Sequence, residues 1–482
     1  MKVVLFAMNG SWSHSNLALR CLREPLEREG FAVTLVEHTL KDRSAHVLEH
    51  LFCEHADVYG FSCYIWNLPS MLALASDLHR LLPNCRIILG GPEVSFATER
   101  FDSAEGVDGI VCGEGEDAFL KICRSVRDGL PFSRIINGER PDVMRNEGIL
   151  YRNGESTGGI LYYESSRGCP YRCAYCLSSA TVGLRMKSVE QTLCDLAAFE
   201  ALNTDCRIIK FVDRTFNADP ARANRIWEAL LSDAYTKLYH FEICASLLNE
   251  ESFAILERFP KGKIQLEIGL QSTNPQTLAE VSRHVDPTRV VEAAGRIKQM
   301  GNIHVHLDLI AGLPYESYER FAQSFNEAYG SCDMLQLGFL KLLHGTALRE
   351  NMERYGYVCR TEPPYTVLAS KWISYPEMQR LSHLAEVRER YDESGKFAHA
   401  LWYLMPLTAS PFRFWEGLSS YLSECDDRPL QKISQPDAYR YFLEYALKSV
   451  EKVNGDRLRE LLALDFSSNE HKNPPAFLSR EK

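Results

Sequence analysis

Short apolar runs and amphipathic stretches alternate along the first quarter of the chain. Val3-Val4-Leu5-Phe6-Ala7 is an apolar run that reads as a first strand, followed by a polar loop over 8–15. Leu17, Leu19, Leu22 and Leu26 then line one face of a helix predicted over 16–29, which Gly30 stops. The beat continues with strands over 31–36, 58–62, 86–90 and 109–112 and helices over 70–82 and 116–126. Strands alternating with helices predict an α/β fold with a parallel sheet, whose ligands sit beyond the carboxyl ends of the strands.

Residues 127–159 are rich in Arg, Asp, Gly, Asn and Pro and predict a linker with one small hairpin near 148–156. A second α/β pattern follows. It has strands over 160–164, 207–212, 239–243, 263–270 and 304–310, a buried strand over 335–343, and a helix over 188–202. That pattern suits a partial or full (β/α) barrel with its site at the carboxyl-terminal strand ends. From residue 375 the periodicity is helical, over 378–391, 396–404, 412–422, 437–453 and 456–464, and the polar tail after Asp465 is expected to fray. The expected domains are therefore 1–126, a linker over 127–159, 160–350, and a mainly helical 351–482.

Composition narrows this picture. The net charge of −10 over 482 residues weighs against a broad nucleic-acid surface. No apolar run reaches the roughly 18–20 residues that span a bilayer, and the start lacks the apolar length of a signal peptide. The 15 cysteines lie mostly in apolar segments, which suits a reducing cytoplasm.

The chemistry lies at strand exits. Gly90-Gly91-Pro92-Glu93-Val94-Ser95 follows one strand and Gly113-Glu114-Gly115-Glu116 another, and glycines there let a bulky ligand approach the backbone. Ser165-Ser166-Arg167-Gly168-Cys169-Pro170-Tyr171-Arg172-Cys173-Ala174-Tyr175-Cys176 follows the strand over 160–164. Its C-x₃-C-x₂-C spacing lets three thiolates turn to one centre, which selects zinc, copper(I) or an iron–sulfur cluster. Zinc would need a fourth ligand, and none is local. Three thiolates would leave one iron of a cubane without a protein ligand. Asp213, Glu242, Glu267 and Asp308 sit in or at the ends of apolar strands, where a carboxylate is costly unless paired or used.

The cysteine loop, with Tyr175 before its last cysteine, resembles the signature of the radical S-adenosylmethionine (radical SAM) superfamily. The first segment resembles the cobalamin-binding domain of the cobalamin-dependent members, and the whole layout resembles a subgroup with an uncharacterised helical C-terminal domain. The resemblance implies a [4Fe–4S] cluster on Cys169, Cys173 and Cys176. It also implies S-adenosylmethionine on the open iron, cleaved by one electron to a 5′-deoxyadenosyl radical, and cobalamin in the first domain. The S-adenosylmethionine contacts it implies are Asp213 in the place of the methionine-amine motif, Glu242 and Ser246 at one strand end, and Glu267 and Gln271 toward ribose and substrate. Arg283 would meet the methionine carboxylate, and Gly312, Leu313 and Tyr175 the adenine. The usual Gly-Gly-Glu of the amine motif is absent.

For cobalamin the resemblance points to Ser62, the loop with Tyr64, Trp66 and Asn67, the turn Gly90, Gly91, Pro92 and Glu93, and the turn Gly113, Glu114 and Gly115. Histidine-ligating cobalamin domains carry Asp-x-His-x-x-Gly, which is absent here. His14 and His55 are the nearby histidines, and a loop histidine after a first strand is read either as a cobalt ligand or as a hydrogen-bonding group in its loop. The implied reaction is methyl transfer to an unactivated centre. Alternatives are radical cyclisation or rearrangement, methylthio transfer to a tRNA nucleoside, or a non-catalytic cobalamin or redox sensor. The expected partners are an electron donor such as flavodoxin or ferredoxin and a substrate that is a small molecule, a peptide or a tRNA nucleoside, with no membrane.

Overall fold

The computed structural model describes residues 1–140, 150–180, 183–426 and 428–478. Its first sheet contains β1 (Lys2–Asn9), β2 (Ala32–Thr39), β3 (Val58–Ser62), β4 (Arg86–Gly90), β5 (Gly109–Cys112) and β6 (Ile135–Asn137). All six are parallel, in the order β2-β1-β3-β4-β5-β6. The helices of this part are α1 (Leu17–Arg28), α2 (Ser44–Glu54), α3 (Leu68–Leu81) and α4 (Glu116–Arg127). Central β1 is buried from Val3 to Asn9, as a parallel strand covered on both faces must be. Asn16 caps α1 by accepting the Leu19 N–H.

Two features lie inside the segment expected as a linker. Ile135–Asn137 form β6 and extend the first sheet. The hairpin expected near 148–156 falls partly outside the described residues, and from Leu150 to Gly159 the chain makes only turns and bends. That stretch is packed: Tyr151 is buried and Arg23 donates to the Leu150 carbonyl.

β7 (Ile160–Tyr163) begins the second sheet. β8 (Ser166–Arg167) and β9 (Arg185–Met186) pair antiparallel on either side of the cysteine loop. β10 (Ile208–Phe211), β11 (Leu238–Ile243), β12 (Ile264–Gln271), β13 (His304–Ala311) and β14 (Met334–Phe339) complete a parallel sheet in the order β14-β13-β12-β11-β10-β7. The strand expected over 335–343 thus stops at Phe339, and Lys341 makes only a single bridge to Thr366. The helices are α5 (Val189–Ala201), α6 (Pro220–Leu230), α7 (Glu250–Leu256), α8 (Pro275–Glu280), α9 (Pro287–Met300) and α10 (Tyr318–Tyr329). Alternation along the strands sends Tyr163, Phe211, Phe241 and Leu266 into the core. The opposite, inner face carries Tyr162, Lys210, Glu242, Glu267 and Asp308.

The last part contains α11 (Ala347–Glu350) and the short β15 (Val358–Cys359) and β16 (Val367–Ala369). α12 (Tyr375–Arg388), α13 (Ala398–Leu404), α14 (Pro411–Cys425), α15 (Gln435–Ser449) and α16 (Gly455–Glu470) follow. Its helices share one hydrophobic core with the second sheet. Buried Arg388 donates to the Leu335 carbonyl of β14, and Tyr318 of α10 donates to Glu416 of α14. The expected fraying after Asp465 is corrected: α16 runs on to Glu470. Asp465 is itself buried, accepting the N–H groups of His399 and Ala400 at the start of α13.

Candidate functional site

A cavity of roughly 720 Å³ opens beyond the carboxyl ends of β3, β4 and β5, and the cysteine loop and Arg214 close its other side. Ser62, Tyr64, Gly90, Gly91 and Pro92 line it, as do Gly113, Glu114 and Gly115. Gly91 has φ +115°, and a Cβ there would lie 2.4 Å from the Cys63 carbonyl oxygen. Gly113 has φ +77° and nothing within 4 Å of its Cβ position, leaving backbone open to a ligand. Ser95 ties the two turns together, donating to the Gly91 carbonyl at 2.8 Å and accepting the Gly113 N–H at 2.9 Å. Only its place in the Gly-Gly-Pro motif hinted at this.

Several residues expected at cobalamin have other partners. The Glu93 carboxylate leaves the cavity, accepting from Tyr365 at 2.5 Å and Arg100 at 3.3 Å. His14 pairs with the Tyr162 hydroxyl at 2.6 Å, so the hydrogen-bonding reading of that loop histidine fits the geometry. Burial, then the Lys210 charge, lowers its pKa. Asn67 is buried and shapes its loop, donating to the Met8 and Ser62 carbonyls and accepting the Tyr64 N–H. Trp66 is half exposed, donates to the Met8 carbonyl and stacks on Tyr64 at 4.4 Å. Glu114 lines the cavity with its carboxylate bound to Arg167 at 2.9 Å and to Arg185. Arg167 also reaches Glu116 at 2.8 Å and Glu164 at 2.7 Å. This ion cluster joins the first sheet to the cysteine loop.

The loop itself is pinned on two sides: Ala174 N–H donates to the Val281 carbonyl, and the Ala174 carbonyl accepts from Leu348 N–H. Cys173 is buried and Cys169 and Cys176 are half-buried. Cys169 Sγ lies 3.6 Å from the Thr215 hydroxyl, and Arg283 Nη1 points at Cys173 Sγ from 3.8 Å and at the Tyr175 hydroxyl from 3.4 Å. Asp213 does not face this space. Its buried carboxylate accepts Ser165 N–H and the Ser165 and Ser166 hydroxyls at 2.5–2.9 Å, so it braces the entry to the loop.

At the next strand ends, Gln271 stands at φ +73° beside a register shift in β12. A strained non-glycine residue at a bulge is a mark of functional sites. Its side-chain oxygen is buried without a hydrogen-bond partner, and so is Arg283 Nε, while Arg283 Nη2 donates to the Gly269 carbonyl. These orphaned atoms fit a polar cosubstrate beside the three thiols. Ser246 Oγ is 3.2 Å from Cys244 Sγ, and the Gly312 carbonyl accepts from Tyr357 while Leu313 is buried in a small core. Buried Glu316 was not anticipated. It accepts from Ser272, Thr277 and Ser324 and locks the turn after Gln271.

On the inner face, β11 and β12 place Glu242 opposite Glu267. Glu267 takes Lys210 at 3.3 Å and His240 at 2.9 Å. Burial works against its charge, yet the His240 hydrogen bond and Lys210 hold its pKa down at about 2. Burial raises Glu242, with Arg214 at 3.9 Å opposing. Burial, then repulsion from Glu267 and Glu242, pushes Asp308 up to about 8.

Comparison with known proteins matches this arrangement. Residues 8–122 match the B12 binding domain, 163–328 the radical SAM superfamily, and 353–482 a protein family of unknown function, DUF4080. The chain is 25% identical over 438 residues to the cobalamin-dependent radical SAM methyltransferase TokK of Streptomyces tokunonensis, covering 78% of this chain and 62% of that one. It is 26% identical over 330 residues to the hopanoid C-3 methylase of Methylococcus capsulatus, covering 63% and 62%. The chain thus spans under two thirds of the length of these relatives. The structure of TsrM from Kitasatospora setae with cobalamin and [4Fe-4S] cluster bound superposes with a TM-score of 0.65 at 16% identity, covering 88% of this chain and 99% of that one. OxsB with aqua-cobalamin and S-adenosylmethionine bound gives 0.62 at 15%, covering 98% and 79%. Both share the fold. The two domain matches imply a [4Fe–4S] cluster, S-adenosylmethionine and cobalamin, and the open Gly113 backbone and the orphaned Gln271 and Arg283 atoms fit such groups. Residues 8–122 and 163–328 thus match a B12 binding domain and a radical SAM domain joined in one chain.

Proposed function

We propose that the chain is a cobalamin-dependent radical SAM methyltransferase acting on an unactivated centre. The observation that carries this is the shared cavity, in which the glycine turns of the first sheet face Ser166–Gly168 at the head of the cysteine loop. One ligand held by the first domain and one held by the loop would meet there. When bound, the cluster, S-adenosylmethionine and cobalamin supply reductive cleavage of the sulfonium and a methyl group for transfer.

Each residue then has a defined task. Cys169, Cys173 and Cys176 hold the cluster. Arg283 takes the methionine carboxylate with the nitrogen that has no acceptor, and Gln271 offers its free carbonyl oxygen to a donor on the cosubstrate. Glu242 and Ser246 stand beside the cosubstrate at the end of β11, Glu267 and Gln271 toward its ribose, and Gly312, Leu313 and Tyr175 beside adenine. The Gly90–Pro92 and Gly113–Gly115 turns, with Ser62 and Tyr64, take the corrin and its tail. Asp213, Ser95 and Glu316 are positioning residues. The boundaries 1–126, 160–350 and 351–482 remain the domain reading, with β6 added to the first domain. A flavodoxin- or ferredoxin-type donor supplies electrons, in the cytoplasm. Among the described residues no helix is long and apolar enough to cross a membrane.

The test is anaerobic reconstitution with iron, sulfide and cobalamin, followed by S-adenosylmethionine and dithionite. Wild-type protein is expected to form 5′-deoxyadenosine and to retain corrin absorbance after desalting, and Cys173→Ala to form no deoxyadenosine. Deoxyadenosine at the level of that variant would rule out the radical reading. Methyl-labelled S-adenosylmethionine offered with cell metabolites then reports the acceptor, and label recovered only in S-adenosylmethionine and methionine would remove the methyltransferase assignment.

A further inference from the structure

The edge of the first sheet holds a cluster that the proposed reaction does not use. β2 is the edge strand, and His38 near its end meets His50 of α2. Asp42, His38, His50 and Glu54 form a continuous chain there. His38 Nδ1 lies 3.2 Å from the Asp42 carboxylate, His38 Nε2 lies 3.0 Å from His50 Nδ1, and His50 Nε2 lies 3.8 Å from Glu54. The side chains of His38 and His50 are 15% and 47% exposed, so an ion from solvent reaches the pair. Both carboxylates are themselves fixed: Asp42 accepts the Thr39 N–H at 2.8 Å, and Glu54 takes Lys2 at 2.9 Å.

The hydrogens of this chain do not match its acceptors. A carboxylate only accepts, so a neutral His38 ring carries its hydrogen on Nδ1 and turns a lone pair out at Nε2. His50 must then carry its hydrogen on Nδ1 to bridge the 3.0 Å gap. That leaves the bare Nε2 of His50 toward the Glu54 carboxylate, lone pair against anion. Moving the hydrogen to Nε2 satisfies Glu54 and sets two imidazole lone pairs against each other. Either arrangement lacks one electrophile. The ring centroids are 5.2 Å apart, with the planes at 81°. Zn–N bonds of about 2.0–2.1 Å at a tetrahedral angle also place two imidazole centroids about 5.2 Å apart. The rings therefore need only tilt, without moving closer or apart, for both nitrogens to address one ion. A carboxylate behind each ring is the outer partner that fixes tautomer and orientation at zinc sites.

We propose that His38 Nε2 and His50 Nδ1 bind a divalent metal ion of the zinc class, with Asp42 and Glu54 orienting the rings and water filling the other positions. Among the described residues no group of three or more His, Cys, Asp or Glu side chains is poised around one ion, so the protein supplies two ligands. The hydrogen on His50 Nδ1 passes to Nε2 as the metal enters, Glu54 accepts it there, and the neutral pair loses no proton. The role of the ion follows from α2, which buries only Val47 and Leu51. A metal link ties this weakly packed helix to the edge strand. A proton on His50 would also complete the chain, and the test separates the two.

The probe is zinc chloride, in anaerobic equilibrium dialysis against cluster- and cobalamin-loaded protein. Wild type is expected to take up one equivalent more than His38→Ala or His50→Gln. The X-ray absorption of that added zinc is expected to show nitrogen and oxygen neighbours with imidazole scattering and no sulfur. Asp42→Asn is expected to weaken zinc about tenfold or more, as loss of an outer partner does. Zinc is expected to raise the melting temperature of wild type and not that of His50→Gln. Iron content and corrin absorbance equal to wild type show that a variant is folded, and half-exposed His50 is the position to read if His38→Ala loses either. Equal zinc uptake by wild type and His50→Gln would overturn the site, as would a sulfur shell, which gives the metal to thiols. No uptake by wild type would also overturn it and leave the pair to a proton.

Discussion

Gln271 and Asp308 show how single side chains in this site are held away from their most comfortable states. The left-handed backbone of Gln271 is strain that a glycine would not feel, so Gln271→Gly is expected to stabilise the protein by about 0.5–1 kcal/mol while weakening S-adenosylmethionine binding. Denaturant unfolding beside equilibrium binding of the cosubstrate checks both signs, and a variant that lost stability would remove the strain argument. The two neighbouring carboxyls pull stability in opposite senses with pH. Glu267, held at about 2, contributes stability that is present above its unfolded pKa and is lost as pH falls toward 2. Asp308, held near 8, favours the fold below its unfolded pKa, and that contribution is lost as pH rises to 8. Asp308→Asn is therefore expected to raise the melting temperature more at pH 8 than at pH 5, and a uniform shift across that range would contradict it. In the sequence these residues were visible as carboxyls out of place in apolar strands. Their partners were not, because Glu242 meets Glu267, and Glu267 meets Lys210 and His240, only once the order β10-β11-β12 is set. Asp213 illustrates the same gap: its place in the motif suggested a methionine amine, whereas the serines that precede the cysteines consume both its oxygens.

Among the elements, the cysteine loop depends on what enters and leaves it. Asp213→Asn exchanges an acceptor of three donors for an amide that can satisfy fewer of them. The expected result is a folded protein that reconstitutes with less iron and sulfide per chain, read by iron analysis and the cluster's absorbance. Unchanged cluster loading would show that Ser165 and Ser166 hold the loop without it. Arg167 matters at the same level, since its removal leaves Glu114, Glu116 and Glu164 crowded together. Breaking such a partly buried cluster costs about 3 kcal/mol, and Arg167→Ala is expected to lose cobalamin on desalting sooner than it loses the cluster. Long amphipathic or fully apolar elements could be read directly: β1, α1, α4 and β10 to β13 appear where the patterns put them, within a few residues. The misses have physical causes. α2 buries only Val47 and Leu51, too few to show a period, and β6 is a three-residue edge strand half in solvent. α16 outruns its expected end because Asp465, polar in the sequence, is consumed as the cap of another helix.

At the scale of the molecule, the first sheet and the cysteine loop meet around one cavity and the last part is fastened to both sheets, and the contacts between these regions were the least legible part of the sequence. They join residues far apart in the chain: His14 with Tyr162, Glu114 with Arg167, and Arg100 with Tyr365. Tyr365 is buried, donates to Glu93, accepts from Arg100 and packs edge-on against His344. Gly345 beside it has no room for a side chain, its Cβ position lying 2.3 Å from the Phe96 ring. The stretch before the terminal helices is thus fastened back onto the loop that follows the Gly90 turn. A designer who swapped the first domain for that of a relative, to change which corrinoid is held, would have to carry over residues 344–365 with it. A chimera that moved only residues 1–126 would inherit a glycine turn whose anchor belongs to another protein.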